Sequence, residues 1–302
     1  MATPDTEVEK VAEILRAADP EGFRFARTLR RTFDQIYDGR NTGRYRWEQL
    51  RKTEKTHFGS LVEINLHREF SFSDGIHLDY RIADIDVDCK WSQTEGGWML
   101  PPEAIGQICL LVTGSDEKSQ WSAGLVRADE TSVTLGGDHY LTLNETGKKR
   151  VKWLWRSAAL PENILLHLDP VSLKAIMVDL SGSNRGKERL KEIFRRIPNR
   201  PVGLAALATV AQQTTFLRHL HADGGVLEDL RSEGIVVFGN YPRHREMASR
   251  LALPDMIEGE FMSARLRVVD GPGSRAVQIG RRWYRRCDEL ETPAKPAPRF
   301  LR

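Results

Sequence analysis

Ile85-Asp86-Val87-Asp88-Cys89-Lys90-Trp91 alternates apolar and charged residues with a period of two. On a strand, Ile85, Val87 and Cys89 face one way, and Asp86, Asp88 and Lys90 face the other. The apolar face has to rest on a core. The opposite face carries two carboxylates and an ammonium within about 13 Å, at about 3.3 Å rise per residue. Like charges so close repel, and each loses hydration if the strand is covered, unless a cation sits among them. A divalent ion resolves the conflict, because hard cations such as Mg²⁺ take carboxylate and carbonyl oxygens. Lys90 adds what the ion cannot: a positive charge, or a proton-transfer group beside a metal-bound water.

An Asp-x-Lys strand alone is ordinary on a solvated face. Two upstream carboxylates change its meaning. Asp79 precedes the turn residues Ala83-Asp84, which fold its strand back against this one, and Glu63 lies on the element before that. Sixteen residues separate Glu63 from Asp79, nine separate Asp79 from Asp88, and two separate Asp88 from Lys90.

The set Glu63…Asp79…Asp88-Cys89-Lys90 resembles the PD-(D/E)xK nuclease core, and within that superfamily the NaeI type (IIE) of type II restriction endonuclease. The likeness covers Tyr37-Asp38-Gly39, Thr42-Gly43-Arg44-Tyr45-Arg46-Trp47, Lys52-Thr53-Glu54-Lys55-Thr56-His57, Leu61-Val62-Glu63-Ile64-Asn65-Leu66-His67-Arg68-Glu69-Phe70 and Gly96-Gly97-Trp98-Met99. It continues more weakly through Arg200-Pro201-Val202-Gly203 and Gly234-Ile235-Val236-Val237. The resemblance implies Mg²⁺ held by Asp79, Asp88, the Cys89 backbone carbonyl and Glu63, with Lys90 completing the catalytic set. It selects Asp88 over Asp86, which shares its face. It also implies a homodimer on double-stranded DNA, with two sites per dimer. A second DNA-binding domain would occupy another copy of the site and activate cleavage, and the site would be a GC-rich palindrome such as GCCGGC. Tyr37-Asp38-Gly39 is similar, too, to the nucleotide-accepting motif of DNA ligases. Ile36 stands where that motif has its lysine, and without an amine no phosphoramidate can form.

The chain has 302 residues, 40% of them hydrophobic, enough for two domains with proper cores. A net charge of +3 is consistent with nucleic acid without demanding it. Three cysteines, Cys89, Cys109 and Cys287, form no CxxC pair and leave one over. That pattern argues against a disulfide framework and a zinc site, and for a reducing cytoplasm. No apolar run approaches the length of a membrane span, and no signal-peptide core is visible, so no membrane role is expected.

Taken in order, residues 6–17 form an amphipathic helix with Thr6 and Glu9 as a capping box, and a second helix follows Pro20 with Phe25, Leu29 and Phe33 on one face. Residues 36–47 read as a loop in which Arg40, Arg44 and Arg46 interleave with Tyr45 and Trp47, suited to a phosphate backbone. Residues 56–70 are ambiguous in period; length favours a helix, with His67 a possible ligand. Residues 108–112 and 123–126 extend the sheet, and Trp153 and Trp155 alternate beyond a basic edge at Lys148-Lys149-Arg150. These elements make a mixed sheet flanked by helices, and the resemblance implies that they form an endonuclease domain over 1–160.

A linker is expected over 161–170, partly packed through Ile164-Leu165-Leu166, then a polar loop at 182–186 and a second, mainly helical domain over 171–302. The expected fold class is therefore α+β. Residues 188–196 form a basic helix. Short helices at 202–212, 214–221 and 225–232, a strand at 235–238 and a helix at 244–251 suggest a winged helix-turn-helix, although an ordinary helical domain fits the pattern as well. Arg281, Arg282, Arg285 and Arg286 flank Trp283-Tyr284 and suit phosphates, or a solvated face. The expected function is a Mg²⁺-dependent site-specific DNA endonuclease. The alternatives are a repair or mismatch nuclease on the same core and a non-catalytic DNA-binding regulator.

Overall fold

The computed structural model describes residues 5–136, 139–178, 184–221, 225–239, 241–288 and 290–300. The protein is α+β and divides into two compact units, Met1–Tyr37 with Arg46–Asn163, and Asp38–Tyr45 with Ile164–Arg302. Nothing in the sequence pattern hints that residues 38–45 join the second unit.

The first unit opens with helices α1 (Thr6–Ala18) and α2 (Phe23–Tyr37). The expected Thr6–Glu9 box is not the cap of α1; Asp5 is, its side chain accepting from the Glu7 and Val8 amides. The short α3 (Gly39–Thr42) belongs to the second unit, and α4 (Lys52–Phe70) returns to the first. Its helical period is settled by Phe58, Val62 and Leu66, buried at i, i+4 and i+8.

Strands β1 (Ser73–Asp74), β2 (Tyr80–Ile82), β3 (Ile85–Ser92), β4 (Ile108–Ser115) and β5 (Gln120–Arg127) follow. Then come β6 (Val133–Leu135), β7 (Leu141–Leu143), α5 (Glu145–Arg150) and β8 (Lys152–Ala159). The main sheet runs β1-β2-β3-β4-β5-β8 and is mixed, with β3 and β4 its parallel pair. Ala83 and Asp84 form the β2–β3 turn with φ of 56° and 67°. Two successive left-handed residues twist in the sense of the flanking strands, and Ile82 therefore faces Ile85 and Tyr80 faces Val87. Helices α1, α2 and α4 cover one face of the sheet through Leu15, Phe25, Leu29, Phe33, Phe58 and Val62. The other face packs Cys109, Leu111 and Val126 against Trp98, Leu100 and Leu143. Strand β4, apolar throughout, is buried from both sides.

The second unit continues with α6 (Pro170–Ile176), α7 (Arg185–Arg196), β9 (Val202–Gly203), α8 (Leu204–Ala211), α9 (Phe216–His219) and α10 (Val226–Ser232). Strand β10 (Ile235–Gly239), helix α11 (Pro242–Arg250) and strands β11 (Glu260–Val269), β12 (Ala276–Ile279) and β13 (Arg282–Arg286) complete it. Its five-stranded sheet runs β10-β11-β13-β12, with β9 also paired to β11. Only the first of these longer strands is visible in the sequence reading. Ile164 and Leu165 are core residues here, so the expected linker is structured and α6 begins within it. The loop expected at 182–186 falls partly outside the described residues. Within this unit α3 lies against α8 so closely that a Cβ on Gly39 would sit 2.0 Å from Thr209 Oγ1, which excludes any other residue there.

Candidate active site

The β2–β3 hairpin does the assembling. Continuing its register one residue beyond the Tyr80–Val87 pair sets Asp79 opposite Asp88. Asp79 Oδ2 accepts the Cys89 amide at 2.7 Å. Asp88, buried in the middle of β3, accepts from Lys90 Nζ at 2.6 Å through Oδ1. The same ammonium lies 3.2 Å from the Cys89 carbonyl and 3.6 Å from Asp79 Oδ2. The other oxygen, Asp88 Oδ2, is buried without a hydrogen-bond partner. Tyr80 ties the helix layer to this point: its hydroxyl donates to the Glu63 carbonyl at 2.8 Å.

Charge is crowded here. Burial raises the Glu63 carboxyl above its ordinary value, and the charges of Asp79 and Asp88 add to that effect while Lys90 opposes it. Burial also raises Asp88, against the pull of Lys90. Lys90 is drawn down by burial, but the hydrogen bond to Asp88 and the charges of Asp88 and Asp79 leave it above its usual value, a firm cation. An orphaned, buried carboxylate oxygen costs free energy until something positive meets it. Two carboxylates and a backbone carbonyl are hard oxygen donors, so the residues present fit a hard divalent cation. Among the described residues no three His, Cys, Asp or Glu side chains converge on one ion position. Two such side chains and the Cys89 carbonyl are what this cluster offers.

Other residues marked in the sequence fall elsewhere. Asp86 turns to the β1–β2 loop, where it accepts from the Ile76 and His77 amides. The His67 ring is 3.1 Å from Asp74. Arg40 is exposed on α3, while Arg44 and Arg46 are half-buried. Arg40 and Arg44 group with the second unit and Arg46 with the first. The four arginines near the C-terminus differ in their surroundings. Arg285 is engaged by Glu291, Arg286 is half-buried on β13, and Arg281 and Arg282 are exposed at the β12–β13 turn. The basic helix α7 is spent internally: Arg189 donates to the Val178 and Val210 carbonyls, Lys191 pairs with Asp229, and Arg195 pairs with Glu192 and Glu233. Exposed Arg243 and Arg245 on α11, passed over in the sequence, make no ion pair among the described residues. Their signal was available, two arginines bracketing a buried histidine just after a helix-starting proline.

Comparison with known proteins gives the class: the chain is a restriction endonuclease. It belongs to the restriction endonuclease NaeI family, whose model matches residues 9–292. It is 44% identical over 288 residues to the type II restriction enzyme NaeI of Lentzea aerocolonigenes, covering 93% of this chain and 91% of that protein.

Proposed function

We propose that the chain cuts double-stranded DNA at a specific site, with Glu63, Asp79, Asp88 and Lys90 as its active site on a PD-(D/E)xK core. The observation that carries the assignment is the partnerless buried oxygen of Asp88, set beside Asp79 and Lys90 in a chain of this family. Asp79, Asp88 and the Cys89 carbonyl would hold Mg²⁺, with Glu63 supporting them. When bound, the ion polarises the phosphate and makes water a better nucleophile. Asp79, anchored on the Cys89 amide, and Asp88, fixed on β3, hold their oxygens on one side of the hairpin. Lys90 brings a fixed positive charge to the position where a phosphate gains negative charge, and acts as electrostatic support. Burial raises the Glu63 carboxyl, so it takes up a proton more readily than an exposed glutamate does.

The second unit is read as a winged-helix-like duplex-binding domain that takes another copy of the site and stimulates cleavage. The order helix α7, strand β9, helices α8 and α10, then β10 and β11 supports this, as does the pairing of β9 and β10 with β11. Where a simple wing would stand, the chain inserts α11 with its exposed arginines. Cutting both strands of a symmetric site takes two active sites about a two-fold axis, hence a homodimer, working in the cytoplasm where the DNA is. The experiment is a plasmid digest in Mg²⁺ with Asp88→Ala. Cleavage should be abolished, while site-specific binding in Ca²⁺ persists. Cleavage by Asp88→Ala at near the parent rate, with Asp86→Ala inactive, would move the site one residue pair along β3.

A further inference from the structure

Asp86 shares the charged face of β3 with Asp88 and Lys90, yet its carboxylate is used differently. We propose that Asp86 is a positioning residue for Asp79, which it sets in place by clamping the β1–β2 loop. This rests on the proposal that Asp79 holds the ion. Both oxygens of Asp86 are committed to backbone: Oδ1 and Oδ2 accept from the Ile76 amide at 3.2 and 3.1 Å, and Oδ2 accepts from the His77 amide at 3.0 Å. Ionised acceptors make such bonds stronger than neutral ones.

The loop between β1 and β2, residues 75–79, ends on Asp79. It starts at Gly75, where a Cβ would stand 2.1 Å from the Leu78 carbonyl oxygen, so the chain doubles back on itself at once. Little else holds the tip. Ile76 is 63% exposed and His77 is exposed, so apolar burial contributes almost nothing to its order. The segment is instead tied at both ends to β3, by the Asp86 side chain at residues 76 and 77 and by the Cys89 amide at Asp79. Only Leu78 lies between the clamped amides and Asp79. Removing the clamp frees the loop to open locally and lets the Asp79 carboxylate wander from the Asp88–Lys90 pair. Asp86 faces two amides from the loop and, through the backbone, Arg81 of β2, so the clamp ties loop and hairpin into one piece.

Asp86→Ala and Asp86→Asn separate this role from direct ligation, because asparagine keeps a carbonyl oxygen for an amide but is a poor substitute as an anionic ligand. Hydrogen exchange is read on the peptide spanning 75–79 without divalent ions, and cleavage of a cognate plasmid is titrated with Mg²⁺. In Asp86→Ala, loop protection should fall and the half-saturating Mg²⁺ concentration should rise by roughly 10–100-fold, the usual effect of losing a group that orients a ligand. In Asp86→Asn, protection should largely remain and the Mg²⁺ response should stay within about threefold. Two results overturn the proposal: unchanged loop protection in Asp86→Ala, or a weakened Mg²⁺ response in Asp86→Asn with the loop still protected, which would make Asp86 a ligand. If Asp86→Ala does not fold, the asparagine variant decides alone by the same two readouts. Asp79→Ala serves as the control. Should its Mg²⁺ response match the parent's, the ligand assignment fails, and loop protection still judges the clamp separately.

Discussion

Around Lys90 two carboxylates close on one ammonium, with a third, Glu63, within electrostatic reach, whereas in the second unit Glu228, Glu233 and Glu291 are matched with arginines in closed sets. Glu228 meets Arg231 and Arg299, Glu233 meets Arg195, and Glu291 meets Arg267 and Arg285. The matched sets hold their acids far down. Arg231 takes Glu228 to about 2, and Arg285, aided by the Asp288 amide, takes Glu291 to about 2. The crowded set does the reverse, with Glu63 and Asp88 raised by burial and by their neighbours. Charges that satisfy one another belong to the architecture and have little left for a ligand. Charges left over in a buried place mark where a ligand is needed to complete the structure.

Three tests press on that contrast. The largest effect is expected at Lys90, where methionine keeps the length of the side chain and removes its charge. kcat for DNA cleavage should fall by about 10²–10³-fold with a much smaller change in KM. A variant that raises KM and keeps kcat would make Lys90 a phosphate anchor, and the first cluster no different in kind from the second. An intermediate effect is expected from Arg243→Ala with Arg245→Ala in a cleavage-inactive background. The log–log salt dependence of duplex binding should shallow by about 2, at about 0.9 for each phosphate no longer neutralised. In the active enzyme, stimulation of a one-site plasmid by added cognate duplex should weaken. Replacing the committed Arg285 should leave the salt slope alone. If Arg285 matters and the α11 pair does not, charge matching is a poor guide to the binding face.

The smallest effect is on stability against pH, read for each unit by hydrogen exchange without divalent ions. Glu228 and Glu291 are depressed in the folded state, so their stabilisation is present above the ordinary glutamate value of 4.5 and lost as pH falls toward about 2. Glu63 and Asp88 are raised, so they cost stability at neutral pH and the cost is relieved as they take up protons on the way down. Mild acidification should therefore steady the segments around Glu63 and Asp88 before it loosens those around Glu228 and Glu291. The opposite order would contradict the contrast.

Much of this site is legible in the chain because it depends on local rules. Period two at 85–91, two turn residues at Ala83-Asp84 and the register they impose bring Asp79 to Asp88 without any long-range information. Helix α4 is nearly as plain once Phe58, Val62 and Leu66 are counted. The role of Asp86 was hidden, because its partners are backbone amides that every residue carries. The surroundings of the arginines are hidden for a related reason. A guanidinium reads the same whether it faces solvent or a glutamate many residues away, and Arg195 and Arg285 are of the second kind. Strand β11 could have been found, since Ala264, Leu266 and Val268 alternate with two arginines, but the short helices around it dominated the pattern.

The brief excursion of residues 38–45 has a consequence for inheritance. The backbone passes between the units at 37/38, at 45/46 and again at 163/164, three strands of one thread. A protease nick near 163 would leave residues 38–45 on the piece that carries the first unit. A recombination event that exchanged everything after that point would carry off the second unit without α3, leaving Thr209 facing a gap shaped for Gly39. Modules joined by a single bridge can be shuffled between genes; these two have to be handed down together.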